Sequence, residues 1–301
     1  FIHQIQSANY GYPSLFINFA TEILPALEDL GGGSGTGALY MNEPNWPAAY
    51  NNQPMMSDWG RNGVFIHRLA VDGPSFTQTP ESFIQISQVS DLDVDASGQL
   101  YLSAWAGATY KGSSEKGYVV RVVPKGWTYN AFESLDKAKL NDLIAALDSL
   151  SSTIRLAAQQ ELLTRTNKTI PAKLLERVGD KSLSKEGRVA TLFTYAQMAG
   201  SSGISSLLGL FGDSDLAEFA IRAATDRLPW LSEVDVPFKP IAAFLSKGTE
   251  REKVAAIVAL GRLGNKSAAT ALLKTPYNFP IEAGATAPVA SPVLIKGANS
   301  V

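Results

Sequence analysis

Two segments of the chain look like copies of one unit, and this repeat constrains the fold more than any other feature. In each copy a tryptophan, Trp59 or Trp105, precedes an apolar run that begins with a glycine, Gly63 or Gly117. The tryptophans are 46 residues apart and the glycines 54. A repeat of about 40–50 residues built from short strands is typical of β-propeller blades. Because propellers usually close with about 4–8 blades, the repeat predicts a partial propeller, about the last two blades of a larger structure.

The composition changes near residue 126, where we place a domain boundary. Residues 1–126 are rich in Gly, Pro, Asn and aromatic residues, whereas residues 127–301 carry amphipathic helical patterns rich in Ala and Leu. An alanine follows an apolar residue early in four helical patterns, at spacings of 33, 30 and 35 residues: Ala157, Ala190, Ala220 and Ala255. A second helical pattern lies between each of them and the next. Helix pairs at this period predict a HEAT-like α-solenoid, and we expect the array to continue beyond the chain end. The predicted fold class is therefore multidomain, β then α.

The clearest strand pattern lies between residues 89 and 123. Asp91–Asp95 alternates strictly between polar and apolar residues, as a half-buried strand does. A turn containing Gly98 follows, since glycine tolerates a positive φ, and Leu100–Trp105 and Tyr118–Val123 continue the sheet. The preceding unit has similar runs at 38–41, 55–59 and 64–69.

The glycine-rich stretch 31–37 is interpreted as a flexible structural loop. It lacks the Gly-Lys-Ser/Thr of a phosphate-binding loop and neither follows a clear strand nor opens a helix. A phosphate-binding function is therefore not expected there.

Overall composition narrows the classes of function. Apolar residues make up 45% and charged residues 18%, which is typical of a folded protein. The net charge of −2 gives no general reason to expect nucleic acid or an anionic membrane as a partner. The sequence contains no run of about 18 apolar residues, so no transmembrane helix is predicted in this segment. Because cysteine is absent, disulfides, thiolate nucleophiles and a covalent c-type haem motif are excluded within these residues.

Asp58, Arg61 and Asp91 are the candidate cofactor-binding residues. Asp58 and Arg61 flank Trp59-Gly60, where they form either an ion pair that stabilises a turn or a site at the propeller funnel. Asp91, Asp93 and Asp95 share one strand face by their period of two. This face is either solvated, with Asp95 forming an Asx-type turn, or it places Asp91 at the axial mouth near a ligand or Ca²⁺.

The chain has two histidines, and neither has the spacing of a known metal or catalytic motif. His67 alternates with Phe65 and Leu69, which predicts a partly buried strand residue. His3 is credible as a general base only with a substrate pocket beside it. The helical half shows no catalytic constellation, and we expect it to act as a concave protein-binding surface or a spacer.

The order and spacing of the motifs in residues 1–126 resemble the propeller of membrane-bound dehydrogenases of the planctomycete–verrucomicrobial type. The helical repeats match the HEAT segment that follows in such proteins. The motifs that carry the resemblance are Tyr10–Pro13, Gly31–Tyr40, Ser57–Arg61, Asp91–Asp95 with Gly98, Leu100–Ser103 and Gly117–Val122.

The resemblance implies an extracytoplasmic protein, periplasmic or on the cell surface, whose propeller is similar to soluble glucose and sorbosone dehydrogenases. Those enzymes use pyrroloquinoline quinone (PQQ) and Ca²⁺. In the family a c-type haem domain commonly follows the HEAT repeats, so haem c is expected only outside this segment or on a partner polypeptide. The cofactor-binding residues of the better-known dehydrogenases do not map onto this sequence, and none is transferred.

Two functions follow from these observations. In the first, the complete propeller holds PQQ, accepts a hydride from a sugar or alcohol, and passes electrons to a c-type cytochrome. In the second, the chain is a non-catalytic scaffold whose propeller rim and solenoid bind a glycan or a protein. The expected partners are other propeller blades, a haem domain, and proteins bound by the solenoid. Fold alone does not decide between these functions, because propellers host both.

Overall fold

The strands of the protein precede its helices, which confirms the predicted β-then-α order. The computed structural model describes residues 1–6, 8–10, 23–107, 113–132 and 134–275. It divides into two compact units. The first comprises Phe1, 27–72 and 76–166, and the second comprises 2–26, 73–75 and 167–301, in each case as far as the residues are described.

Some predicted features lie outside the described residues. They are residues 11–13 of the first family motif, residues 108–112 of the loop between the second and third strands of the second predicted unit, and the end of the predicted helical array beyond residue 275.

The first sheet is a four-stranded meander in which each strand pairs with the next along the chain. Its strands are β1 (Gly35–Met41), β2 (Gln53–Asp58), β3 (Gly63–Asp72) and β4 (Ser75–Gln85). The runs predicted at 38–41, 55–59 and 64–69 correspond to β1, β2 and β3. The sequence did not predict β4, since Pro80 interrupts a largely polar run. Proline is tolerated there because β4 is an edge strand.

The second sheet is a three-stranded antiparallel meander. Its strands are β5 (Val89–Val94), β6 (Leu100–Trp105) and β7 (Gly117–Val122). All three correspond to predicted strands. Gly98 has a φ of 82° in the turn between β5 and β6, as predicted.

The two sheets of the first unit share one apolar core, and β1 packs against β5. Trp46, from the proline-rich connection between β1 and β2, closes this core, since its Nε1 donates to the carbonyl oxygen of Gly98 at 2.7 Å. The buried core residues are Met41, Trp46, Met55, Val64, Ile66, Val89, Leu92, Val94, Leu100, Leu102 and Ala104.

Part of the glycine-rich stretch is a strand, so the prediction of a loop over 31–37 is wrong for residues 35–37, which begin β1. The physical reason is close packing. A Cβ on Gly37 would collide with the carboxylate of Asp91, and a Cβ on Gly33 would collide with that of Asp58. At these two positions glycine leaves space for an acidic neighbour.

The first two helices belong to the first unit, and Glu43 links the start of the second of them to a loop of this unit by hydrogen bonds. They are α1 (Leu140–Ala146) and α2 (Ser152–Thr164). Glu43 is 1% exposed, and its Oε1 accepts hydrogen bonds from Ser152 Oγ at 3.1 Å, Thr153 N at 3.1 Å and Thr153 Oγ1 at 2.8 Å. A carboxylate at a helix N-terminus satisfies free N–H groups and complements the helix dipole. The change from strands to helices and the division into units therefore occur at different residues.

The repeated alanines of the second unit, Ala190, Ala220 and Ala255, lie on α4 (Lys185–Ala199), α6 (Ala217–Thr225) and α10 (Glu250–Leu263). In the packing of this unit α6 contacts both α4 and α10. Thr249 and Glu252 form a capping box at the start of α10, and Gly264 ends that helix with a φ of 62°. The helices are α3 (Ile170–Val178), α4 (Lys185–Ala199), α5 (Ile204–Leu208), α6 (Ala217–Thr225), α7 (Leu228–Glu233), α8 (Phe238–Ala242), α9 (Phe244–Lys247), α10 (Glu250–Leu263) and α11 (Lys266–Lys274).

A buried arginine organises one helix junction of the second unit. Arg188 on α4 is 2% exposed, and its Nε donates to the carbonyl oxygen of Val178 at 2.8 Å. Its Nη2 contacts Asp213 Oδ2 at 2.5 Å and its Nη1 lies 3.7 Å from Asp215 Oδ2. The hydrogen bond from Arg188 lowers the pKa of Asp213 despite the opposing effect of burial. This arginine therefore joins the end of α3 to the loop before α6.

None of the described helices is long and apolar enough to cross a membrane.

Candidate functional site

Asp58 lies at the end of β2 and acts as a hydrogen-bond acceptor for the surrounding backbone. It is 3% exposed, and its Oδ1 accepts from the N–H of Ser34 and the N–H of Arg61, each at 2.9 Å. The N–H of Trp59 in turn donates to the carbonyl oxygen of Ser34 at 2.8 Å. Asp58 therefore joins the glycine-rich segment to the turn between β2 and β3.

The predicted ion pair between Asp58 and Arg61 is wrong, because the two residues are linked through the backbone of Arg61. The Arg61 guanidinium lies 4.1 Å from the centroid of the Phe65 ring in a cation–π contact. Its Nη1 is buried and has no hydrogen-bond partner among the described residues. The stacking on Phe65 holds the side chain away from the Asp58 carboxylate.

Asp91 and Asp93 lie on the exposed face of β5, opposite the buried Leu92 and Val94. Each carboxylate accepts a hydrogen bond from the next backbone N–H, Asp91 from Leu92 at 2.9 Å and Asp93 from Val94 at 2.8 Å. Asp91 differs from Asp93 in packing directly beside Gly37 of β1. Its charge faces solvent at the place where the two sheets meet.

Asp95 forms the predicted Asx-type turn after β5. Its Oδ1 accepts from Ser97 N at 2.9 Å, Ser97 Oγ at 2.7 Å and Gln99 N at 3.0 Å. Burial raises the pKa of Asp95, but these hydrogen bonds and one from Tyr101 outweigh it, so the pKa lies below its usual value. Asp95 is therefore a charged carboxylate whose function is to stabilise this turn.

Two of the predicted cofactor-binding residues, Asp58 and Asp91, contact different points of the glycine-rich segment. Asp58 contacts the backbone at Ser34, and Asp91 contacts Gly37, three residues further along the chain. Three residues of extended chain span roughly 10 Å. Among the described residues no three His, Cys, Asp or Glu side chains form a group that could hold a metal ion. Since Ca²⁺ takes about 6–8 oxygen ligands, these residues do not by themselves fit a PQQ–Ca²⁺ centre.

His67 on β3 is fully buried, whereas the sequence predicted partial burial. Its Nδ1 lies 2.7 Å from Gln78 Oε1, and the ring of Phe1 stacks on it at 4.1 Å. Burial lowers its pKa, and the hydrogen bond to Gln78 opposes this effect only in part. His67 is therefore a neutral core residue at pH 7.

A polar cleft lies in the second unit, with a volume of about 420 Å³. One wall is α6 with its C-terminal cap residue Asp226, where Glu218, Arg222 and Asp226 follow at intervals of four residues and so share one face. The other wall is α10, and the segment 3–6 and Pro74 complete the lining. The remaining lining residues, all on α10, are Arg251, Val254, Ala255 and Val258.

One ion pair and one amide-bridged contact link the side chains at the two ends of the cleft. At one end Arg251 forms a two-point ion pair with Glu218, with distances of 2.9 Å and 3.1 Å. At the other end the amide of Gln6, oriented by its partners, donates to Asp226 Oδ1 at 3.0 Å and accepts from Arg262 Nη1 at 2.8 Å. Arg262 also donates to the carbonyl oxygen of Thr225 at 2.7 Å. Side chains of α6 and α10 thus fix the width of the cleft.

His3 lines this cleft, so the pocket that the sequence required beside it is present. Its Nδ1 lies 3.0 Å from Ser75 Oγ. Burial is the main cause that lowers its pKa, the charge of Arg251 acts in the same direction, and Glu218 opposes them. A neutral imidazole hydrogen-bonded to a serine positions the segment 3–6 along the cleft.

Sequence reasoning missed the cleft because its lining comes from four separate segments of the chain. Glu218, Arg222 and Asp226 each read as ordinary surface residues of a helix. The alternation of acidic and basic residues at intervals of four on α6 was the one available signal, and it is also common on solvated helices.

Comparisons with known proteins give no further assignment. No family model, no curated protein and no solved structure matches this chain.

Proposed function

We propose that this chain is a propeller–HEAT segment of an extracytoplasmic protein and that its described part acts as a non-catalytic binding scaffold. The proposal depends on a difference between the charged side chains of the two units. Asp58 and Asp95 accept hydrogen bonds from the protein backbone, whereas the helices of the second unit carry charged side chains around an open cleft of about 420 Å³.

The arrangement of the two sheets supports the propeller. Each is a meander in sequence order, and their first strands, β1 and β5, pack against each other, as the inner strands of neighbouring blades do. The repeated tryptophans lie at equivalent places in the two meanders. Trp59 directly follows β2, the second strand of the first meander, and Trp105 is the last residue of β6, the second strand of the second meander. Their rings meet edge to face at 6.5 Å.

The packing of the second unit supports the HEAT-like array. The helices α4, α6 and α10 carry the repeated alanines, and α6 contacts both of the others. Ala220, Ala255 and the neighbouring Ala256 are buried, which allows close helix approach. Proteins bound along such an array are the expected partners.

A quinoprotein dehydrogenase is the second candidate, and the exposed Asp91 favours it. Its carboxylate faces solvent beside Gly37, at the junction of the two sheets, and remains accessible to a ligand. PQQ would supply the hydride chemistry when bound. Because the described residues lack the oxygen ligands that Ca²⁺ needs, other blades of the same propeller would have to contribute them, and electrons would leave through a haem domain outside this segment.

The absorbance of the purified protein that carries this chain together with the other blades of the propeller, with added PQQ and Ca²⁺, tests the proposal. The scaffold predicts no saturable quinone band, before or after reconstitution. The dehydrogenase predicts a bound quinone that is lost in Asp91→Ala and kept in Asp93→Ala, the matched change on the same face of β5. A saturable spectrum with that pattern would overturn the scaffold.

A further inference from the structure

The centre of the cleft in the second unit presents one cation without an anion. Arg222 stands between Glu218 and Asp226 on α6, yet among the described residues its guanidinium makes neither a hydrogen bond nor an ion pair. Its one described contact is with the ring of Phe193, whose centroid lies 6.0 Å away. A guanidinium held only by a distant ring keeps its donors available.

The two acidic side chains that line the cleft, Glu218 and Asp226, each have a described partner. Glu218 is neutralised by the two-point pair with Arg251. Asp226 accepts from the Gln6 amide, whose oxygen in turn accepts from Arg262. Of the two cationic lining residues, this leaves Arg222 as the one whose charge is not countered by a described partner.

The α10 wall of the cleft includes an apolar patch beside Arg251. Val254, Ala255 and Val258 lie at spacings of three and four residues and so form one face of α10. Sites that bind small ligands usually combine such an apolar wall with a few polar anchors, in volumes of about 300–1,000 Å³. The observed volume of about 420 Å³ falls in this range.

We infer that the cleft binds a carboxylate carried on an aliphatic body, with the carboxylate on Arg222 and the body against Val254 and Val258. An arginine fork matches a carboxylate with two parallel hydrogen bonds, which favours this anion over a halide. The inference rests on the proposed scaffold function and assigns the ligand chemistry of its cleft. A free small acid and the C-terminus of a peptide present the same group.

Calorimetric titration of the whole chain with matched probes tests the inference. N-acetyl-leucine should bind, and its amide, which has the same body without the carboxylate, should bind at least about tenfold more weakly. An acetylated tripeptide that ends in a free leucine distinguishes the two sources. Binding at least tenfold tighter than the single amino acid identifies a peptide C-terminus, whereas equal binding identifies a small acid.

Arg222→Gln should weaken binding of the acid by about 10- to 100-fold, as expected for the loss of a charge-assisted hydrogen bond. Arg227→Gln, an exposed arginine outside the cleft, is the matched control and should change binding less than about twofold. Arg222→Lys keeps the charge without the fork, and we expect an intermediate loss. Thermal unfolding of each variant confirms that it is folded.

The inference is overturned if the acid and the amide bind equally well. It is also overturned if Arg222→Gln leaves binding of the acid unchanged, since Arg222 would then not hold the carboxylate. Binding of either acid weaker than about 10 mM overturns it as well. The scaffold itself fails by a different result, the Asp91-dependent quinone spectrum, so the two failures are distinguishable.

Discussion

The two units differ in how they accommodate buried charge. In the first unit the carboxylates of Glu43 and Asp58, 1% and 3% exposed, accept hydrogen bonds from neutral N–H and O–H groups. Among the described residues of the second unit, the buried charged side chain is the cation Arg188, 2% exposed, and a carboxylate balances it at 2.5 Å. The sheet unit therefore uses its acids to organise loops and a helix start, whereas the helical unit uses an ion pair to join helices.

The difference follows from which backbone groups each fold leaves unpaired. Loops and helix starts present free N–H donors, which an anion satisfies. Helix ends present free carbonyl groups, and Val178 at the end of α3 accepts from Arg188. We expect removal of charge to be tolerated better in the first unit, because a neutral amide oxygen accepts the same hydrogen bonds.

The largest effect is predicted for Arg188→Ala. The substitution leaves the Asp213 carboxylate and the Val178 carbonyl without their partner, and loss of one member of a buried pair costs about 3–5 kcal/mol. Urea denaturation measures the free energy of unfolding, and Arg227→Ala should change it by less than about 0.5 kcal/mol. Arg188→Gln should lose nearly as much as Arg188→Ala, because the charge of Asp213 stays unbalanced. A loss below about 1 kcal/mol would show that the ion pair is not structural.

A smaller loss is predicted for Glu43→Ala, about 2–3 kcal/mol, since three hydrogen bonds to Ser152 and Thr153 disappear. Glu43→Gln should restore roughly half of this stability through its amide oxygen. Glu115→Ala, at an exposed position, is the control and should be close to neutral. If Glu43→Gln is as damaging as Glu43→Ala, the charge itself is required and the contrast between the units fails.

The smallest effect is predicted for the protonation of His67. Because its folded pKa lies below 6.5, the unfolded chain binds the proton first, so the stabilising contribution is complete above pH 6.5. That contribution decreases as the pH falls below 6.5 towards the folded pKa. A proton NMR titration of the imidazole should give a midpoint below 6.5, and His67→Phe should remove this part of the pH dependence. A midpoint above 6.5 would mean that a nearby acid holds the ring charged.

The local pattern of the sequence was sufficient to predict most elements. Strict alternation located β5, apolar runs located β6 and β7, and the alanine spacing of about one helix pair located α4, α6 and α10. Each of these signals comes from side chains on one element that face one core. The turn at Asp95 was predictable for the same reason, since the donors that form it, on Ser97 and Gln99, lie within four residues.

The remaining features depend on the positions of neighbours. Pro80 hides β4 from pattern reasoning, because only its position at a sheet edge makes a proline acceptable. Arg188 reads as one of many charged residues on a helix, and its burial depends on the distant Asp213. The link of Asp58 to Ser34, and the cleft around Arg222, join segments far apart in the chain, which residue spacing does not reveal.

The edge-to-face contact of Trp59 and Trp105 gives the first unit an internal optical probe. Because the indole rings lie 6.5 Å apart edge to face, we expect their electronic transitions to couple and to contribute a signal to the circular dichroism of the protein. The signal exists only while both copies of the repeat are docked. Loss of docking between the two sheets would therefore be visible before the backbone of either sheet unfolds.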